Sequence, residues 1–208
     1  MSSISTIGIL GAGRAGTAIA RAAASAGIRV HIASTRSPTQ MKYHLLQYAP
    51  EAKAVYARQI ADDVELVVLA VPQEDLDEVE PHWLGTRVLI DATNRWEDEP
   101  LPTWLAAGIN AGLSSSEVIA QQFPTTRVVK ALNHISHWAM DAPRSDNARA
   151  AAVSSNDQAA AQKVSNLVEA LGFDPVVANN LAAGRQTEPG TKYFNVAATS
   201  EQLSRQLL

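Results

Sequence analysis

The chain has 208 residues, 46% of them hydrophobic and 18% charged, a composition that excludes disordered and fibrous classes and leaves material for one sizeable core. Its net charge of -4, without a long run of lysine or arginine, lacks the electrostatic footprint of a nucleic-acid binder. The absence of cysteine removes disulfide scaffolds, thiol nucleophiles and cysteine-held zinc or iron–sulfur clusters. Met1 to Ile7 has no basic leader, and no apolar run approaches the ~20 residues that cross a bilayer, so a soluble cytoplasmic protein without membrane or nucleic-acid partners is expected.

Ile4 to Leu10 is an apolar, β-branched run, followed by Gly11-Ala12-Gly13-Arg14-Ala15-Gly16 and an alanine-rich stretch that ends at Gly27. This predicts strand, turn and helix, and Ile28 to Ala33 closes a parallel βαβ unit within the usual span of about thirty residues. Further strands are predicted over Ala52 to Tyr56, Leu66 to Val71, Val88 to Asp91, Val128 to Leu132, Ala150 to Val153 and Pro175 to Ala178. Helical patterns fall at Pro38 to Tyr48, Glu74 to Trp83, Ser115 to Gln122 and Asp157 to Leu171. The alternation predicts an α/β, doubly wound, mainly parallel Rossmann-like sheet with helices on both faces, its first strands in the order 3-2-1-4-5. No repeat or linker divides residues 1–208, and 179–208 is expected to form a short helical extension that packs across the sheet edge or against a partner chain.

The glycine turn gives the first chemical reading. Gly11 makes the tight turn, Gly13 lets backbone approach a pyrophosphate, and Gly16 lets the helix lie close to the strand. A strand before, a helix after, and small residues Ala20 and Ala24 behind Gly16 favour a dinucleotide over a merely structural turn. The helix start also directs unpaired N–H groups at phosphate. After the second strand stand Ser34, Thr35 and Arg36, where a binder of NAD carries a carboxylate on the ribose hydroxyls. An arginine twenty residues beyond Gly16 can pair with a 2′-phosphate and stack on adenine, which favours NADP.

These residues, with Ala70-Val71-Pro72, Asp91-Ala92-Thr93-Asn94, Val129-Lys130-Ala131-Leu132-Asn133, Leu171-Gly172-Phe173-Asp174-Pro175 and Leu181-Ala182-Ala183-Gly184-Arg185, resemble NADPH-dependent coenzyme F-420 reductases over nearly the whole chain. The resemblance implies a Rossmann-type NADP oxidoreductase, hydride exchange with a 5-deazaflavin, and a homodimer. It places Thr35 and Arg36 on the 2′-phosphate and Val71-Pro72 beside the nicotinamide, and makes Asn94, Asn133, His134 and Ile135 the wall for the second ring. The chain departs from plainer members at Ser136-His137-Trp138 and at the acidic, bulky Arg95-Trp96-Glu97-Asp98-Glu99-Pro100.

Other constellations are weaker. His134, His137 and Asp141 could ligate a metal, but hydrogen bonding is the plainer role and no metal site is expected. His134 is a candidate to orient or protonate an acceptor, against a satisfied structural histidine. Lys130 is expected in an ion pair or at a solvated strand end. Trp83, Trp96, Trp104 and Trp138 could include a platform for a flat ring, although tryptophan more often belongs to cores and interfaces. The leading expectation is hydride transfer between NADPH and a flat two-electron acceptor, a deazaflavin or a flavin. Alternatives are a reductase of small carbonyls or imines, and a module that senses NADPH without turnover.

Overall fold

The computed structural model describes residues 4–96, 99–141 and 149–207. In chain order the strands and helices are β1 (Thr6–Leu10), α1 (Arg14–Ser25), β2 (Arg29–Ala33), α2 (Pro38–Tyr48), β3 (Lys53–Ala54), β4 (Leu66–Leu69), β5 (Val88–Asp91), α3 (Thr103–Asn110), α4 (Ser115–Gln122), β6 (Arg127–Ala131), α5 (His137–Asp141), β7 (Ala150–Ser154), α6 (Gln158–Ala170), β8 (Asp174–Val177) and α7 (Ser200–Leu207). The eight strands form one sheet in the order 3-2-1-4-5-6-7-8, so the expected 3-2-1-4-5 run is present and extended by three strands. All neighbours pair in parallel except β6 and β7, which run antiparallel.

Register decides where a site can form. Leu10 pairs with Ala33 on one side and Leu69 on the other, Leu69 with Asp91, and Asp91 with Lys130. The carboxyl ends of five central strands therefore finish level. The strand order reverses about β1, so the crevice of this open sheet lies above its end, at the glycine turn.

Side chains alternate between two cores, as the period of a strand requires. Ile7, Ile9, Val68, Ile90 and Val129 pack under α1, α2 and α6, while Val67, Leu69, Leu89 and Val128 pack with Leu105, Val118, Ile119 and Phe123 of the α3–α4 side. Helix α2 starts on a complete capping box, Ser37 Oγ accepting from the Gln40 N–H and Gln40 Oε1 accepting from the Ser37 N–H, with Pro38 in the first turn.

The continuous helix expected over Glu74 to Trp83 does not form. Two 3₁₀ turns, Gln73–Glu78 and Pro81–Trp83, stand there instead. Pro81 cannot donate to a helix, and it pushes Glu80 before it into an extended conformation, φ -77° and ψ 123°. Leu76 and Val79 are buried at a helix-like spacing all the same, which is why the apolar period misled. Beyond β8, a 3₁₀ turn over Leu181–Thr187 and then α7 lie over one face of the last two strands, where Leu203 and Leu207 join Ala150, Ala152 and Val176. Among the described residues no helix is long and apolar enough to cross a membrane.

Candidate active site

Two clefts flank the glycine turn. The first, about 430 Å³, is lined by Gly11, Ala12 and Gly13, by Ser34, Thr35 and Arg36, and by Val71 and Pro72. The second, about 270 Å³, has Arg14 and Ala15 on the turn side, with Asn94, Leu132, Asn133 and Ile135 from the ends of β5 and β6. Val71 and Pro72 thus line the first cleft, and Asn94, Asn133 and Ile135 the second, although β4 and β5 end side by side and Gln73 Nε2 donates to Thr93 Oγ1 at 2.9 Å.

Two glycines of the turn lack a side chain for reasons inside the fold. Gly11 has φ 109°, and a Cβ there would collide with the Ala70 carbonyl. A Cβ on Gly16 would strike the Gly11 carbonyl and approach Ile9, so the turn closes on itself and the helix rests on the strand. Gly13 is different: a Cβ would meet nothing within 4 Å. Nothing in the fold needs Gly13 bare. It is also the N-cap of α1, without a side-chain hydrogen bond to the first N–H groups and with no acid in the first turn. Open space beside uncapped donors at the positive end of a helix fits a pyrophosphate.

At the end of β2, Thr35 and Arg36 are exposed and Ser34 is half-buried. The Ser34 hydroxyl is committed to the fold, donating to Met41 Sδ at 3.0 Å and accepting from the Arg36 N–H at 3.1 Å. Ser34 thus shapes the loop that presents Arg36. Among the described residues no carboxylate pairs with Arg36. His44 closes the same cleft, its Nε2 2.7 Å from the Ala12 carbonyl oxygen.

The second cleft is built from strand ends and from the C-terminal segment. Asn94 and Asn133 bond to each other, Asn94 Nδ2 donating to the Asn133 carbonyl at 2.9 Å and Asn133 Nδ2 donating to Asn94 Oδ1 at 3.1 Å. Asn133 is buried and also donates to the Thr187 carbonyl and accepts from Thr187 Oγ1, which leaves Asn94 the amide with capacity to spare. Trp96 meets Phe194 edge to face, centroids 5.6 Å apart, and both line the cleft beside Ile19, Leu132, Ile135 and Met140. His137 and the exposed Trp138 complete the rim, their rings 4.4 Å apart. Two of the three non-glycine residues with left-handed backbone among those described, Leu132 (φ 66°) and Asn195 (φ 54°), line this one cleft. Left-handed backbone at a bulky residue costs on the order of 1 kcal/mol and collects at functional sites.

His134 is not part of that wall. It is 1% exposed and its Nε2 accepts the Ala152 N–H at 3.0 Å, so the ring points to β7 and away from both clefts. Burial lowers its pKa to about 4, with the Tyr193 backbone acting weakly in the other direction without making a full hydrogen bond to Nδ1. Tied to β7 and lining neither cleft, His134 is placed as a structural histidine. The three candidate metal ligands are not gathered either: Asp141 is paired with Arg21 at 2.5 Å, and the His137 ring lies on Trp138. Of the four tryptophans, Trp96 and Trp138 line the second cleft, Trp83 lines the first, and Trp104 donates to Asp77 at 2.6 Å. Glu97 and Asp98 of the acidic segment lie outside the described residues.

Phe194 and Asn195 escaped the reading of the sequence, although the neighbouring Tyr193-Phe194 pair in a polar tail was a visible signal. Lys130 was expected in an ion pair and is found in one, but wholly buried, 3.3 Å from Asp91 and 3.4 Å from Glu188.

Comparison with known proteins agrees with this fold. Residues 6–95 match the family described as NADP oxidoreductase, coenzyme F420-dependent. A solved structure of a hypothetical protein from Sinorhizobium meliloti superposes with a TM-score of 0.79 at 25% identity, covering 94% of this chain and 95% of that one. That of a proposed F420-dependent NADP reductase from Arthrobacter sp. FB24 gives 0.70 at 25% identity, with 88% of each chain covered. Among curated proteins, the rat metalloreductase STEAP3 is 28% identical over 88% of this chain, which spans only 35% of that protein's length. An imine reductase from Pseudomonas sp., 18% identical with a TM-score of 0.58, shares the fold. The glycine turn, the arginine after β2 and the match over residues 6–95 together give this chain the Rossmann-type fold of NADP-dependent oxidoreductases.

Proposed function

We propose that this protein moves a hydride between NADPH, held along the first cleft and across the glycine turn, and a flat two-electron acceptor seated in the second cleft. The acceptor class is a deazaflavin such as coenzyme F-420, or a flavin. The observation that carries this reading is the second cleft itself: the Trp96–Phe194 pair and the apolar side chains of Ile19, Leu132, Ile135 and Met140 form much of its wall, and among the described residues no carboxylate lines it.

NADPH supplies the hydride, and ring-to-ring transfer needs no acid–base pair from the protein. The work left to the chain is binding, orientation and exclusion of water. Arg36 and Thr35 stand where a 2′-phosphate is to be recognised, and the N–H groups of Gly13 and the first turn of α1 face the pyrophosphate. Pro72, without an N–H and with fixed φ, offers a rigid surface at the mouth. Asn94, fixed by Asn133 through both its amide atoms, keeps one N–H and one lone pair for the second cleft. Leu132, Ile135 and Ile19 keep that cleft apolar.

One observation favours a second reading. His137 lines the second cleft half-buried and could donate a proton, as reduction of a small carbonyl or imine requires. The two readings separate in a simple assay. Purified protein with NADPH is offered a deazaflavin, free flavins, ferric chelates and cyclic imines, and absorbance at the nicotinamide band is followed. Turnover with the deazaflavin or flavins alone supports the proposal; turnover with imines alone supports the alternative, and silence with every acceptor overturns both.

A further inference from the structure

A lysine in the middle of a parallel sheet is out of place by composition. Lys130 is 1% exposed, and its Nζ reaches three oxygens: the Thr93 carbonyl at 2.7 Å, Asp91 Oδ2 at 3.3 Å and Glu188 Oε1 at 3.4 Å. Asp91, fully buried, also accepts from Ser116 Oγ at 2.6 Å and from both the N–H and the hydroxyl of Thr93. Glu188 accepts from Ser115 Oγ at 2.5 Å. A buried ion pair of this kind seldom stabilises a fold more than apolar residues of the same volume would. Its geometry shows another use. The ammonium joins two pieces of chain far apart in sequence, the β5 end that leads into Asn94 and Trp96, and the C-terminal segment that leads into Phe194 and Asn195.

Three more contacts fix that segment. Gly184 passes so close over the lysine that a Cβ there would lie 2.7 Å from Lys130 Cγ and 2.8 Å from Lys130 Cβ. Thr187 exchanges hydrogen bonds with the Asn133 side chain at 2.9 and 3.2 Å. The Asn195 N–H donates to the His134 carbonyl at 2.9 Å. From this seat the chain delivers Phe194 onto Trp96 and Asn195 into the second cleft.

We propose that Lys130 is a positioning residue for the acceptor: together with Gly184 and Glu188 it seats the segment from Leu181 to Asn195 so that Phe194 and Asn195 complete the wall of the second cleft. This rests on the second cleft being the acceptor site. Lys130 itself lines neither cleft, and its effect passes through the segment it holds.

Removing Lys130 would leave two carboxylates facing each other and endanger folding, so the test uses its partners. Gly184→Ala introduces the methyl group that the lysine stem excludes, and Glu188→Gln removes the charge while keeping an acceptor for Ser115. Two readouts are taken on the full chain: hydrogen exchange at the Asn195 amide against amides of the glycine turn, and the KM for a deazaflavin against the dissociation constant for NADPH. The proposal expects faster exchange at Asn195 with the turn unchanged, and a KM raised roughly fivefold or more, about 1 kcal/mol, with NADPH affinity kept. Unchanged exchange and KM in both variants would overturn it, as would a parallel loss of NADPH affinity, which marks general damage. If the wild type reduces no flat acceptor, the functional reading falls, and exchange at Asn195 still decides whether the seat exists: protection unchanged in both variants ends the proposal.

Discussion

Arg36 is an exposed side chain on a loop set by Ser34, with no carboxylate partner among the described residues, and that freedom is what a phosphate-binding arginine requires before its ligand arrives. Its role is directly measurable. Arg36→Asp should lower affinity for NADPH relative to NADH by roughly tenfold or more, as loss of a charge-assisted hydrogen bond implies. Calorimetric titrations giving the same preference in both proteins would assign recognition elsewhere in the cleft. His134 makes a prediction of a different kind, because it belongs to the fold. In the unfolded chain an imidazole titrates near 6.5, whereas the buried ring titrates at about 4. Between those pH values the unfolded state holds more protons, so stability present above pH ~6.5 drains as pH falls toward 4, by about 3 kcal/mol for the full shift. His134→Gln, which keeps an acceptor for the Ala152 N–H, should flatten that dependence in urea titrations at pH 7.5 and 5. Equal losses for variant and wild type would show that other groups govern the acid limb.

The elements were legible from sequence wherever local signals agreed with tertiary ones. The bounds of α2, α4 and β5 coincide with the apolar pattern and its caps, Ser37 and Ser114 each standing one residue before a helix with Gln or Glu three residues on. Where they conflicted, the stronger local constraint won: Pro81 split the apolar period of 74–83 into two short turns. Helix α3 was hidden by Pro100 and Pro102 before it and Gly108 within it, although Pro102 serves as its N-cap. The turn between β1 and α1 was legible because Gly11 and Gly16 answer to two separate backbone demands, while Gly13 stands beside open space and its role rests on the ligand. That element carries a sharp test. Gly13→Val should abolish NADPH binding while circular dichroism and the melting transition remain near wild type, since the added side chain enters open space and not the core. A folded Gly13→Val protein that still binds NADPH would make the turn structural only.

At the scale of the molecule, what the sequence could not disclose is what folds together from far apart. Trp96 and Phe194 are separated by almost half the chain, and the sheet order with the contacts of Lys130, Thr187 and Asn195 brings them to one cleft. The same holds for the division of labour at the β6 end: Asn133, His134 and Ile135 are consecutive, yet one supports Asn94, one bonds to β7 and one lines the second cleft. Leu132 just before them has left-handed backbone, φ 66°, which no local pattern announces. The central claim is that the two clefts hold the two reactants separately, cofactor along the turn and acceptor against the β6 end. Its most direct measurement is Ile135→Trp, assayed by steady-state kinetics with a deazaflavin and by direct titration with NADPH on the same preparation. Filling the second cleft should reduce turnover by a factor of roughly ten or more, while the NADPH dissociation constant stays within about twofold of wild type. Wild-type turnover in that variant, or equal losses in turnover and NADPH affinity, would contradict the two-cleft account.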